Sequence, residues 1–213
     1  MERIENYFNR IAREFDLHYT GEKSFFDKII NKIFRENVLR VRMEATIDEI
    51  KEDIKGKTVL DIGAGPGHYS IILSKMGAKV TASDISEEMI ARAKENAGKS
   101  GVKNISFIAE DFLNSMLDEK YDYSFAIGFA DYTNRIELER LLLNMKEITR
   151  KKFIVSFPKL FSFQTPIRKF WLYARNCPVY FYTKHDLAKL FKRLGLRYRF
   201  KDCGVNILAV LEK

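Results

Sequence analysis

From Thr58 onward, short apolar runs alternate with stretches whose apolar positions recur every three or four residues, the signature of strands alternating with amphipathic helices. KTVLDIG is a first strand. In HYSIILSKMG the positions Tyr69, Ile72, Leu73 and Met76 fall at i, i+3, i+4 and i+7, and Gly77 is placed to end that helix. AKVTASD is a second strand, after which Ser86 N-caps a helix whose first turn holds Glu87 and Glu88, where they complement the helix dipole. NISFIAED and YDYSFAIGF are the third and fourth strands, a leucine-rich helix runs from Ile136 to Ile148, and KKFIVSFP is the fifth strand. Thr183 and Asp186 open a last helix, with Leu187, Leu190, Phe191 and Leu194 on one face and Gly195 as its stop. LRYRFKDC and VNILAVLE meet at Gly204 with a linker too short for a crossover helix, so they form an antiparallel hairpin. The expected fold is α/β: a doubly wound, seven-stranded, mostly parallel sheet with a C-terminal antiparallel hairpin. Residues 1–55 read as helices and form an N-terminal helical cap on the 56–213 domain.

Composition agrees with a packed domain. Of 213 residues, 46% are apolar and 31% charged, which excludes disordered and collagen-like classes. Cys177 and Cys203 make neither a disulfide framework nor a CxxC knuckle, so a reducing compartment is the default and no metal site is expected. The opening MERIENYFNR lacks the apolar core of a signal peptide, and no apolar run approaches the roughly 20 residues of a membrane-spanning helix. The chain is therefore read as soluble and cytoplasmic. No motif specifies an oligomeric state.

The sharpest local signal is Asp61-Ile62-Gly63-Ala64-Gly65-Pro66-Gly67, a strand running into a loop with glycine at every second position. Glycine there permits positive φ and lets backbone approach a ligand at the carboxyl end of the first strand. Three carboxylates accompany the loop: Asp61 before it, Asp84 at the end of the second strand, and Asp111 after the third. A ribose diol donates a pair of hydrogen bonds, so a carboxylate 17 residues beyond the last loop glycine suits it. A dinucleotide loop has the spacing GxGxxG and holds a pyrophosphate at a helix N-terminus. Here the spacing is GxGxG, and Asp61 would set negative charge beside that pyrophosphate. S-adenosylmethionine presents an ammonium and a sulfonium and no phosphate, so spacing and sign both favour it.

At these residues the chain resembles the class I S-adenosylmethionine-dependent methyltransferases, a Rossmann-like family. The resemblance runs from about Thr58 to the end of the chain: DIGAGPG is similar to their first motif, SDISEEMIARAKENA to the second-strand motif, and AEDF to the adenine-contacting motif. It implies that Gly63, Gly65 and Gly67 pack on the methionine part of the donor, with Asp61 behind them. It further implies that Asp84, with Ile85 beside it, takes the ribose hydroxyls, that Asp111 and Phe112 flank the adenine, and that Gly128 ends strand four beside the transferring methyl. S-adenosylhomocysteine is then the product. The opening YFNRIAREFDLHYTG and the Arg42–Ile50 helix are similar to small-molecule O-methyltransferases of the magnesium-protoporphyrin and quinone-pathway type. The Asn-Pro-Pro-Tyr tetrad of amino-directed nucleic-acid methyltransferases is missing after strand four, where Gly128-Phe129-Ala130-Asp131-Tyr132 stands instead.

Methyl transfer is an in-line displacement at an activated carbon, so alignment and desolvation supply much of the catalysis. A carboxylate acceptor needs no base. A hydroxyl acceptor does, and Asp131 and His18 are the candidates, Asp131 having the alternative role of an N-terminal carboxylate for the Ile136 helix. Tyr19 is a candidate to close over the donor. Arg42 either reaches the donor's carboxylate or lies on a solvated helix face.

Charge changes the picture once it is resolved along the chain. There are 37 Lys and Arg against 29 Asp and Glu, a net charge of +8, and the 148–185 stretch holds eight of the basic residues and no acidic one, so the rest of the chain balances. The stretch is also aromatic, with Phe161, Phe163, Phe170, Trp171, Tyr173, Tyr180, Phe181 and Tyr182. Because it follows strand five, it is expected over the acceptor side of the site. Three partners fit it: a small anionic acceptor held by Arg168, Lys169, Trp171 and Arg175; a nucleic acid, as substrate of a methyltransferase or ligand of a binding module; and a membrane surface. The small anionic acceptor is the leading reading.

Overall fold

The computed structural model describes residues 4–9, 37–115, 118–160 and 178–213. A short helical stretch spans 4–9, and α1 (Asn37–Ile47) leads into the sheet domain. There β1 (Thr58–Ile62), α2 (His68–Lys75), β2 (Lys79–Asp84), α3 (Glu87–Lys99), β3 (Ile105–Ala109), β4 (Tyr121–Ala126), α4 (Arg135–Ile148), β5 (Thr149–Pro158), α5 (Lys184–Arg193), β6 (Arg197–Cys203) and β7 (Asn206–Glu212) follow in order. The seven strands form one sheet in the order β3-β2-β1-β4-β5-β7-β6. All pairings from β3 to β5 are parallel, while β7 lies antiparallel to both β5 and β6.

Two apolar layers cover the sheet, and strand side chains alternate between them with the period of two that the pleat imposes. On β5, Phe153 and Val155 join the layer under α4 and α5, and Ile154 joins the layer under α1 and α2. On β7, Ala209 and Leu211 face the first layer, and Leu208 and Val210 the second. Burial on both faces explains why these strands read as continuous apolar runs.

Helix α4 contributes Leu138, Leu141, Leu142, Met145 and Ile148 to its layer. Its start is fixed by a capping box in which Asn134 accepts from the Glu137 amide and Glu137 accepts from the Asn134 amide. Ser86 caps α3 through the Met89 amide, as its position before two glutamates implies. At α5 the Thr183 hydroxyl accepts from the Asp186 amide and donates to the Asp186 carboxylate. The turn that follows α1 is tied to the far edge of the sheet by Glu49, which pairs with Lys201 and Arg199 of β6.

Two expectations change. The fourth strand ends at Ala126, so Gly128 and Phe129 belong to the turn beyond it. The basic stretch is also narrower than 148–185, because 149–158 is β5 and α5 begins at Lys184. Arg150, Lys151 and Lys152 open β5 at the edge of the sheet opposite the glycine loop, where Lys151 pairs with Asp53 and lies over the Tyr123 ring. These three cations cannot reach an acceptor bound beyond the strands' carboxyl ends. Among the described residues, no helix is long and apolar enough to cross a membrane.

Leu141 is fully buried between α4 and the sheet, so Leu141→Ala removes its contacts and leaves a cavity. The expected loss is about 2–5 kcal/mol, read in urea unfolding as a lower midpoint with an unchanged slope.

Candidate functional site

The carboxyl ends of β1, β2 and β4 converge on the glycine loop. Gly63, Gly65 and Gly67 have φ values of 67, 53 and 79°, the left-handed region that side chains rarely adopt. The loop is also close-packed: a Cβ built on Gly63 would stand 2.7 Å from Phe129 Cδ2, and one on Gly67 3.0 Å from the Ala93 Cβ of α3. The spacing of glycines therefore reports two close approaches as well as a turn. The Ala64 amide donates to the Ser83 carbonyl at 3.0 Å and the Asn96 carboxamide to the Pro66 carbonyl at 3.0 Å, fixing the loop over the end of β2 and the flank of α3.

Asp84 binds the loop directly. Its Oδ2 accepts from the Gly65 amide at 2.8 Å and its Oδ1 from the Ser86 amide at 2.9 Å. Each carboxylate oxygen has a second lone pair, so two hydroxyl donors can still be accommodated. Asp61, buried in β1, accepts from the Ser70 hydroxyl of α2 at 2.6 Å. Burial pushes both carboxyls up, each to about 6; the Ser70 bond opposes this at Asp61 while the Asp84 charge adds to it, and amide donors oppose it at Asp84. Two buried carboxylates behind one loop favour a cationic ligand and disfavour a pyrophosphate.

Asp111 and Phe112 follow β3. The Asp111 carboxylate turns the chain by accepting from the Leu113 amide at 3.1 Å and the Asn114 carboxamide at 2.8 Å. The Phe112 ring lies in the layer under α4, so this residue can present backbone, not a ring face, to a bound adenine. Ile85 directly follows β2, beside Asp84.

The turn beyond β4 collects more contacts than its sequence shows. The Gly128 amide donates to the Ser156 hydroxyl of β5 at 2.7 Å, and the guanidinium of Arg42 stands 3.5 Å from where a Gly128 Cβ would lie. Arg42 is buried, not on a solvated helix face. Asp131 is buried in the 3₁₀ turn Ala130–Tyr132, and since Asn134 caps α4, Asp131 is not that helix's N-terminal carboxylate. The Tyr180 amide donates to the Asp131 carbonyl at 2.7 Å, and the Tyr182 hydroxyl to the Thr133 carbonyl at 2.6 Å. Burial pushes the Tyr182 phenol up to about 12, which keeps it a donor. The Phe8 ring meets the Tyr132 ring edge-on, with centroids 5.2 Å apart.

The structure thus brings Asp61, Gly63, Gly65, Gly67, Asp84, Ile85 and Gly128 together around the ends of β1, β2 and β4, with Asp131 one turn further. His18, Tyr19, Arg168, Lys169, Trp171 and Arg175 lie outside the described residues, as does Cys177. The Asn134–Glu137 spacing could have located the true α4 cap; nothing local announces Ser156, Phe129 or Phe8.

The magnesium-protoporphyrin O-methyltransferase of Rhodobacter capsulatus is 26% identical over 198 residues, covering 91% of this chain and 85% of that protein. The ribosomal protein L11 methyltransferase of Lactobacillus gasseri is 42% identical, but over 79 residues that cover 37% of this chain and 25% of its own. The structure of magnesium protoporphyrin IX methyltransferase from Synechocystis PCC 6803 with bound SAH shares the fold, with a TM-score of 0.79 and 20% identity over 99% of this chain and 98% of that one. Residues 53–162, from the entry to β1 through the end of β5, match the sequence model of the methyltransferase domain, and the chain belongs to that family.

Proposed function

We propose that the chain transfers the methyl group of S-adenosylmethionine to an oxygen of a small anionic acceptor of the magnesium-protoporphyrin type. The observation that carries the donor is the pair of buried carboxylates, Asp61 and Asp84, behind a loop that has no room for a side chain at Gly63. Similarity over 91% of the chain to an enzyme named for magnesium protoporphyrin supports the acceptor class. Protoporphyrin's oxygens are carboxylate oxygens, so O-methylation of it makes an ester.

When bound, S-adenosylmethionine supplies a methyl group already activated on a sulfonium. In this reading Asp84 accepts from the ribose hydroxyls, the 111–113 backbone edges the adenine, and Asp61 sets negative potential behind the amino acid part. Arg42, buried at Gly128, offers the donor's carboxylate a cation, and Tyr19 closes over it. The carboxylate acceptor carries its own lone pair, so neither Asp131 nor His18 has to remove a proton; Asp131 instead holds the turn that faces the acceptor. Arg168, Lys169 and Arg175, with Trp171, contribute the cationic and aromatic side of the acceptor site. The chemistry left to the protein is alignment and exclusion of water.

Calorimetry should show S-adenosylhomocysteine binding that Asp84→Ala weakens at least tenfold; a wild type that does not bind it overturns the donor assignment. Methyl transfer to magnesium protoporphyrin IX, followed by mass spectrometry, tests the acceptor. With that acceptor, Asp131→Asn should keep kcat within about tenfold of wild type, whereas a general base would cost about 10²–10⁴-fold. Affinity for S-adenosylhomocysteine should also depend on pH. Asp61 and Asp84 titrate near 6 in the folded protein against an ordinary 3.8, so the native state holds protons the unfolded chain has released. Their contribution to stability is therefore present at low pH and lost as pH rises through about 6. The ligand's ammonium favours the ionised pair, so affinity should rise between pH 5 and 7.5, and Asp61→Asn should flatten that rise.

A further inference from the structure

We infer that the carboxamide of Asn206 is a specificity-determining contact for the methyl acceptor, donating to an anionic oxygen other than the one that is methylated. The inference rests on the acceptor reading above and adds to that site a residue from the last hairpin. Asn206 opens β7, and the positions after it, Ile207-Leu208-Ala209-Val210-Leu211, are apolar. Asn206 is 3% exposed, yet its carboxamide has no hydrogen-bond partner among the described residues. A carboxamide both donates and accepts, and leaving it unmet at that depth is costly. Local structure does not call for it. The hairpin turn is Gly204-Val205, where Gly204 meets the left-handed φ of 65°, and the ladders to β5 and β6 use backbone groups. Neither polar atom of the carboxamide is fully shielded, so a ligand group can reach both.

Register places this side chain on the acceptor side. Asn206 pairs with Pro158, the last residue of β5, and with Cys203, the last of β6, and residues paired across a sheet share a face. That face carries Leu208 and Val210, and also Ser156, which accepts from the Gly128 amide. β7 is the second strand from β4, so at about 4.8 Å per strand Asn206 stands about 10 Å across the sheet from the turn beyond β4. The transferring methyl is expected beside Gly128, so that offset suits a group of the acceptor remote from the reacting oxygen. The chain that carries Arg168, Lys169, Trp171 and Arg175 leaves the sheet at Pro158, next to Asn206.

The surrounding charge selects the kind of oxygen. Burial pushes the Cys203 thiol up; the charges of Arg42, Lys159 and Lys201 oppose the rise, and that of Asp202 adds to it. Asp202 itself pairs with Lys159 at 3.2 Å. Cations thus outnumber acids around this corner, which favours an anionic oxygen and makes the Nδ2 group its donor. The cations supply attraction, and the carboxamide supplies direction.

The test combines steady-state methyl transfer to magnesium protoporphyrin IX, calorimetry with S-adenosylhomocysteine, and urea unfolding. Asn206→Leu should raise KM for the porphyrin roughly ten- to a hundredfold, keep kcat within about threefold and leave S-adenosylhomocysteine affinity unchanged. Its urea midpoint should equal or exceed that of wild type, because an unmet amide leaves a buried position, whereas a residue serving the fold would lose stability. Asn206→Asp, which cannot donate and adds a negative charge, should raise KM further. Asn206→Ala adds no bulk, should raise KM as Asn206→Leu does, and secures the result if the leucine variant fails to fold. A porphyrin KM unchanged in both the leucine and alanine variants overturns the contact, with water completing the amide, and leaves the acceptor reading standing. The contact is also overturned if S-adenosylhomocysteine affinity falls alongside that of the porphyrin. Suberate, a dicarboxylate without a ring, is the second probe: its methylation with a KM that Asn206→Leu raises, without methylation of the porphyrin, upholds the contact and overturns the porphyrin acceptor. A wild type that methylates neither probe overturns both.

Discussion

The hydrogen bond from the Gly65 amide to the Asp84 carboxylate, 2.8 Å long and buried, is the contact on which the site depends. It joins the loop after β1 to the end of β2 and so turns two adjacent strand ends into one cradle. A buried carboxylate is costly unless its lone pairs are met, and here backbone amides meet part of that demand and leave the rest for a ligand. The same carboxylate raises the cost of ionising Asp61, so the two acids are coupled through the loop that lies across them. The empty φ > 0 positions of the loop and the charge behind it belong to one arrangement.

A second constraint is the turn from Gly128 to Thr133. It is touched by α1 through Arg42, by β5 through Ser156, by the 4–9 stretch through Phe8 and by the irregular segment before α5 through Tyr180 and Tyr182. Elements distant in sequence thus meet on six residues beyond the end of β4. The sheet supplies a stable platform, and the turn sets where the platform ends.

How much of this the chain's sequence discloses follows from the range of each interaction. The seven strands and their order of appearance are legible because both sheet faces are covered, which makes each strand a compact apolar run bounded by polar residues or glycine. The glycine loop, Asp61 and Asp84 are legible because they are close in sequence and their chemistry is local. The role of Asp131 is not, since whether it caps α4 depends on Asn134 competing for the same amides. Arg42 reads either as a partner of the donor's carboxylate or as a surface cation; it is buried, with its guanidinium beside Gly128, a tertiary fact without a local mark. The excess charge misleads in one respect: a run of basic residues is continuous along the chain, yet Arg150–Lys152 and Lys184 sit at opposite ends of β5 and the segment after it.

The strand order has a kinetic meaning. β7 lies between β5 and β6 but is made after both, so during synthesis the edge of β5 waits for the strand that covers it. That edge carries Phe153-Ile154-Val155-Ser156-Phe157, an apolar, unpaired β-segment of the sort that recruits other chains. Until the Gly204 turn closes, β6 has no place in the sheet either. The edge of β5 can be covered only once β7 has been made, and until then the nascent chain exposes a segment prone to pairing with other chains.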